Sequence, residues 1–262
     1  MPIVQNIMVE DADLPTTLPC IIDGLGQPSG YSPVFSPPDI GGLQIWLRAD
    51  MGITIATGVS QWNDQSGIGD SNRNATQATG GAQPTLNTAD VAYNNQPTLT
   101  FTGASSQYMQ TGTWSHTASQ PFTWIIVGNC NTGGGGQQAF IDGITVQECR
   151  VFTNANGTVL DLYAGVLLSA TPVNVTVPSI MTGVFNGAAS IIYLNNTQVA
   201  VSAGNASTQA PVGISIGTEY NISSFLFGKV AEVIGYSGAL TQSQLATIYT
   251  YLSNRYAIPV VV

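Results

Sequence analysis

Charge is what this sequence has least of. Only 7% of its 262 residues are charged, against about 25% in an average soluble protein. One lysine (Lys229) and four arginines (Arg48, Arg73, Arg150, Arg255) carry all the fixed positive charge, and the formal net charge is −9. The basic residues are scattered singly along the chain. This excludes nucleic acid as a partner, because phosphate contacts rest on clustered Lys and Arg. It equally excludes electrostatic docking on an anionic membrane. Long apolar runs are also missing, so no segment is fit to be inserted in a bilayer. The start, Met1-Pro-Ile-Val-Gln5, has no basic n-region and is followed by Glu10, Asp11 and Asp13, so no signal peptide is expected.

Sulfur and imidazole are scarce as well. Three cysteines (Cys20, Cys130, Cys149) and a single histidine, His116, lack the number and spacing of a zinc site. Reduced, buried thiols are the first expectation, with a Cys130–Cys149 bridge as the alternative. Asn-x-Ser/Thr sequons at Asn74, Asn156, Asn174, Asn195, Asn205 and Asn221 read as a by-product of a composition rich in Asn, Ser and Thr.

What the chain does have is 44% apolar residues, which together with low charge excludes disorder and favours a packed body. Residues 1–39 stand apart. They hold Pro2, Pro15, Pro19, Pro28, Pro33, Pro37 and Pro38, half of the 14 prolines, among apolar residues such as Ile3, Val4, Ile7, Leu14, Leu18, Ile21 and Ile22. Proline at this density blocks helix and removes ladder donors, so this segment is predicted to be an extended arm. It is too apolar for a flexible linker, and those seven apolar residues are candidates for docking on a partner.

From residue 40 the chain reads as short strands separated by turn residues. Expected strands are 43–48, 98–102, 107–110, 122–128, 149–153, 158–164, 179–185, 189–194, 197–202, 212–216 and 225–235. Asn195-Asn196 suits a tight two-residue hairpin turn. Gly133-Gly-Gly-Gly136 lacks the Gly-Lys-Ser/Thr of a phosphate loop and reads as a flexible inter-strand turn. One helix is expected at the C-terminal end. Thr241 and Gln244 form a Thr-x-x-Gln capping box, and Leu245, Ile248, Tyr249 and Leu252 recur on one face.

Two distant segments carry a family resemblance. Gly42-Leu-Gln-Ile-Trp-Leu-Arg-Ala-Asp50 with Gln61-Trp-Asn-Asp-Gln-Ser-Gly67, and Gly228-Lys-Val-Ala-Glu-Val-Ile-Gly-Tyr-Ser237 with the capped helix through Ile258, resemble the opening and closing segments of a laminin-G-like domain of the concanavalin A-like lectin/glucanase superfamily. The resemblance implies an all-β, two-sheet antiparallel jelly-roll sandwich over residues 40–262, with one short C-terminal helix and first and last strands side by side.

Asp64 is the sharpest polar signal: its carboxylate is expected to accept the N–H groups of Ser66 and Gly67 while Trp62 packs beneath. The competing reading is a Ca2+ site from Asp64, Asp70 and Asn72, with Asp50 nearby; calcium takes six to eight oxygens, and the resemblance implies an ion at the sandwich rim. No other cofactor is expected. Trp114 and Tyr108 are candidates, with Asp64, for stacking on a glycan, whereas Trp124 reads as core. Catalysis is not expected. The resemblance implies a paired-carboxylate strand motif for glucanases, which must flank one glycosidic bond, and Glu232 stands alone in Val230-Ala-Glu-Val-Ile234. His116 has no obvious Asp or Ser partner in sequence and is expected to be a lone surface histidine, although triad members come together in space.

Two functions follow as expectations. One is a structural or decoration protein of a virus particle, a bacteriophage by preference, made in the host cytoplasm and displayed on the virion surface. Its arm would hold other virion subunits, and a homo-oligomer is expected. The other is a carbohydrate-binding adhesin module for surface glycans. Fold alone does not choose between them.

Overall fold

The computed structural model describes residues 4–5, 20–21, 35–115, 119–146, 149–201, 207 and 209–261. The chain divides into two units, Met1–Phe35 and Ser36–Val262. In the first, Val4–Gln5 pairs antiparallel with Cys20–Ile21, with Val4 opposite Ile21. The docking candidates Ile3, Ile7, Leu14, Leu18 and Ile22 lie outside the described residues.

The second unit is a two-sheet antiparallel β-sandwich with one C-terminal helix. It begins at Ser36 rather than residue 40, because the 3-10 turn Pro37–Asp39 is tied in: the Tyr236 hydroxyl donates to the Pro37 carbonyl at 2.9 Å. One sheet runs in the order Thr197–Val201, Ile191–Leu194, Ser179–Phe185, Phe122–Cys130, Gly228–Ser237, Gln96–Phe101, Thr85–Asp90. Leu43–Arg48 pairs with the far half of Gly228–Ser237. The two segments that carried the resemblance are therefore hydrogen-bonded neighbours. The other sheet runs Leu167–Ala170, Leu160–Tyr163, Arg150–Thr153, Gln138–Gly143, Ile214–Ile216, Met109–Gln110, Ala75–Thr76, Val59–Trp62, Ile53–Ile55.

Phe122–Cys130 is buried along its whole length, because both of its faces are covered. Phe122, Trp124 and Ile126 point into the core between the sheets. Ile125 and Val127 alternate to the opposite face. There Ile125 pairs with Thr182 and Val127 with Glu232, and the helix hydroxyls of Tyr249 and Tyr256 reach Thr182 Oγ1 (2.6 Å) and Glu232 Oε2 (2.8 Å). The helix Gln242–Tyr256 thus caps the outer face of this sheet with Leu245, Ile248, Tyr249, Leu252 and Tyr256 buried. Its Thr241–Gln244 capping box forms as expected. Trp124 has glycines on both sides, Gly183 and Gly235. A Cβ at Gly235 would lie 2.1 Å from the indole, so the ring needs that position bare.

The hairpin Ile191–Leu194/Thr197–Val201 turns through Asn195 (φ 50°) and Asn196 (φ 66°), the left-handed pair a type I′ turn demands. Cys130 and Cys149 are buried and form no disulfide with each other, which removes the alternative of a bridge between them.

Candidate functional site

Asp64 is a structural anchor. Its Oδ1 accepts the N–H of Ser66 (3.0 Å), as expected, and that of Trp46 (2.8 Å) in the first strand. Its Oδ2 takes the Ser66 hydroxyl at 2.5 Å. Asp70 caps the turn Ser71–Arg73 through the Asn72 N–H and holds Ser115 by both N–H and hydroxyl, each at 3.0 Å. These bonds, the Ser115 N–H foremost, lower the Asp70 carboxyl below its usual range. The cation between the two carboxylates is Arg73. Its guanidinium is buried, feels both Asp64 and Asp70, lies 3.8 Å from Asp70 Oδ2 and donates to the Gln44 carbonyl at 2.5 Å. The Asp64, Asp70 and Asn72 set expected for Ca2+ thus already has one cationic side chain beside it. Among the described residues no group of three or more His, Cys, Asp or Glu is placed to hold a metal.

Trp114 is corrected as a glycan platform. It is 3% exposed, with one face against the Arg73 guanidinium (4.5 Å) and an edge-on contact to Trp124 (6.3 Å). A tryptophan enclosed in this way offers no ring to solvent. His116 lies outside the described residues.

Glu232 is fully buried at the seam of first strand, last strand and helix. It accepts the Trp46 indole N–H (2.6 Å) and the hydroxyls of Tyr251 (3.1 Å) and Tyr256 (2.8 Å). Burial raises its carboxyl despite these donors. Beside it, Asp50 accepts from Arg48 and Arg255 at 2.7 Å each. This network ties the first strand, the last strand and the helix together.

Tyr108 leads to an open site. It is half-buried, with its ring 6.4 Å from Phe225. Phe225 and Phe227 line two adjoining cavities of about 290 and 470 Å³, with Thr102, Gly103, Ala104, Ser224 and the loop Gly133–Gly136 completing the walls. Leu226 is buried in the core, between half-buried Phe225 and Phe227.

Buried Gln138 fastens the cleft: its side chain donates to the Asn131 carbonyl (3.1 Å) and accepts the Phe227 N–H (2.9 Å). Gly134 must stay bare, since a Cβ there would lie 2.5 Å from the Gln138 side chain. The glycine run expected as a simple turn is thus one wall of a cleft. Among the described residues, the N–H groups of Gly134, Gly135 and Gly136 have no backbone acceptor. The sequence reading missed Phe225, Phe227 and Gln138. The usable signal was Phe225-Leu-Phe227 between Ser224 and Gly228, an apolar alternation that had been absorbed into a strand.

Among the described residues no helix is long and apolar enough to cross a membrane. No family model matches this chain, and no curated protein matches it by sequence. Solved structures do. A Trypanosoma rangeli sialidase is similar over 82% of this chain at 11% identity, with a TM-score of 0.55. The botulinum neurotoxin type G receptor-binding domain is similar over 80% at 12% identity, also with a TM-score of 0.55. The match covers 33% of the sialidase chain and 51% of the neurotoxin domain, so this chain spans a third to a half of their lengths. At such identity the likeness is one of fold, and what this chain shares with these proteins is a β-sandwich.

Proposed function

We propose that this chain is a carbohydrate-binding module without catalytic activity, and that the cleft between Gly133–Gly136 and Phe225–Phe227 holds the sugar. The observation that carries the reading is two half-buried phenyl rings, Phe225 and Phe227, each lining one of two adjoining cavities that share Gly103, Gly134 and Gly135. Sugars present C–H faces that pack on aromatic rings, and hydroxyls that pair with fixed neutral donors and acceptors. Here the donors are glycine amides. No titratable side chain lines the cleft, which speaks against acid–base chemistry in it. The neighbours in fold are consistent with the reading: one is a sialidase solved with sialic acid, another a receptor-binding domain.

A glycan array probed with the wild-type chain and with Phe225→Ala tests it. Burying a phenylalanine contributes roughly 1.5–3 kcal/mol, so the variant should lose about tenfold or more in affinity. Equal binding by both proteins refutes the placement of the sugar. The particle-decoration reading stays an expectation from composition and from residues 1–39. None of these neighbours in fold speaks for it.

A further inference from the structure

We infer that the cleft selects neutral sugars and rejects those bearing carboxylate or sulfate; this rests on the carbohydrate-binding reading above. Its walls are Thr102, Gly103, Ala104, Gly133–Gly136, Gln137, Ser224, Phe225 and Phe227, with no cation among them. The cation nearest in sequence, Lys229, is committed. Its ammonium lies 2.7 Å from Asp90 Oδ2, an oxygen that also accepts the Thr98 hydroxyl at 2.9 Å. Burial notwithstanding, Lys229 and Thr98 hold that carboxyl below its usual range, so the ammonium stays closed on a carboxylate. An anionic sugar would therefore shed water against two phenyl rings and meet amide dipoles alone, and a desolvated charge without a counter-charge is strongly disfavoured. The net charge of −9 adds repulsion over the roughly 8 Å that physiological salt leaves unscreened. A neutral sugar meets none of these costs. Its hydroxyls can pair with the free N–H groups of Gly134–Gly136 and with Thr102 and Ser224 on the walls.

The test compares matched oligosaccharides: a neutral galactose-terminated or N-acetylglucosamine-terminated set, and the same cores carrying sialic acid or sulfate. The neutral member of each bound pair should be at least tenfold tighter. Ala104→Lys, at an exposed rim position, places a cation beside the cleft. It should raise the affinity ratio of the acidic to the neutral member several-fold, with the gain disappearing at high salt. If wild type binds the acidic member as tightly as the neutral one, and Phe225→Ala abolishes both, the inference is overturned while the cleft remains a sugar site. If no glycan of either set binds, or if binding survives Phe225→Ala and Phe227→Ala in variants with unchanged thermal unfolding, the carbohydrate reading falls with it.

Discussion

Replacing Asp142 with asparagine should flatten a pH dependence that the native side chain imposes on stability. Asp142 is fully buried near the end of Gln138–Gly143. Its Oδ1 accepts the N–H groups of Gly143 (2.7 Å) and Cys149 (3.1 Å), and its Oδ2 accepts that of Tyr220 (3.1 Å). Burial outweighs these bonds and the field of Arg150, and pushes the carboxyl up from 3.8 to about 7. Folding therefore raises this pKa. The stability it confers is complete below about pH 4 and is lost as pH rises through about 7. A shift of roughly 3 units at 1.36 kcal/mol each makes the swing about 4 kcal/mol.

Asparagine keeps one acceptor for Gly143 and Cys149 but turns an amide N–H2 toward the Tyr220 N–H, a local cost of about 1–3 kcal/mol. The variant should thus be less stable than wild type near pH 3.5 and more stable near pH 8, by roughly 1–3 kcal/mol each way. Urea unfolding of both proteins across that range, read as midpoints at constant slope, gives the difference directly. Titrations elsewhere in the molecule cancel in the subtraction. A difference that does not change with pH refutes the reasoning.

Glu232→Ala should destabilise by about 3–5 kcal/mol, because it strips the acceptor from the buried Trp46 and Tyr256 donors and unbalances nearby Arg255; calorimetry reads it as a large fall in Tm. Thr241→Ala removes the side-chain half of the capping box and should cost about 1 kcal/mol, a Tm shift of about 2–4 °C at this chain length. Chelators should leave Tm unchanged, since the Arg73 guanidinium already lies against Asp70 and in the field of Asp64; a fall on adding EDTA, reversed by calcium, would support the metal reading. Gln138→Ala should weaken binding of any cleft ligand about as much as Phe225→Ala, through loss of the clamp on Phe227, and a ligand titration on the folded variant checks it.

The sandwich was legible in sequence where residues alternate over an apolar face or carry turn chemistry. Leu43–Arg48 and Ser179–Phe185 fall at the expected residues, as do the hairpin asparagines and the helix cap. The strands that escaped notice, Ile53–Ile55, Val59–Trp62, Ala75–Thr76, Thr85–Asp90, Gln138–Gly143 and Leu167–Ala170, are short, polar, or hidden between glycines. Thr85–Asp90 is an edge strand that is largely exposed, so no apolar period marks it. The site was harder to read for a different reason. Whether an aromatic is platform or core depends on its neighbours across the sheet. Trp114 sits near loops in sequence yet is enclosed by Arg73 and Trp124, whereas Phe225 and Phe227 flank a core leucine and face out. Acids show the same ambiguity: the sequence does not reveal that the Arg73 guanidinium lies beside Asp64 and Asp70.

The pairing of Leu43–Arg48 with Gly228–Ser237 sets a schedule for synthesis. The last strand also holds Phe122–Cys130 and Gln96–Phe101, so three earlier strands wait for one partner made at the end. At roughly 5–20 residues per second, ribosomal elongation from the first of these strands to the last takes on the order of 10–40 s. For roughly 5–20 s of that interval, from its own synthesis to that of the last strand, buried Phe122–Cys130 lacks its neighbour on one edge. A nascent chain of this kind depends on chaperone cover or low local concentration, and truncation anywhere before Gly228 should yield aggregate rather than a smaller folded domain.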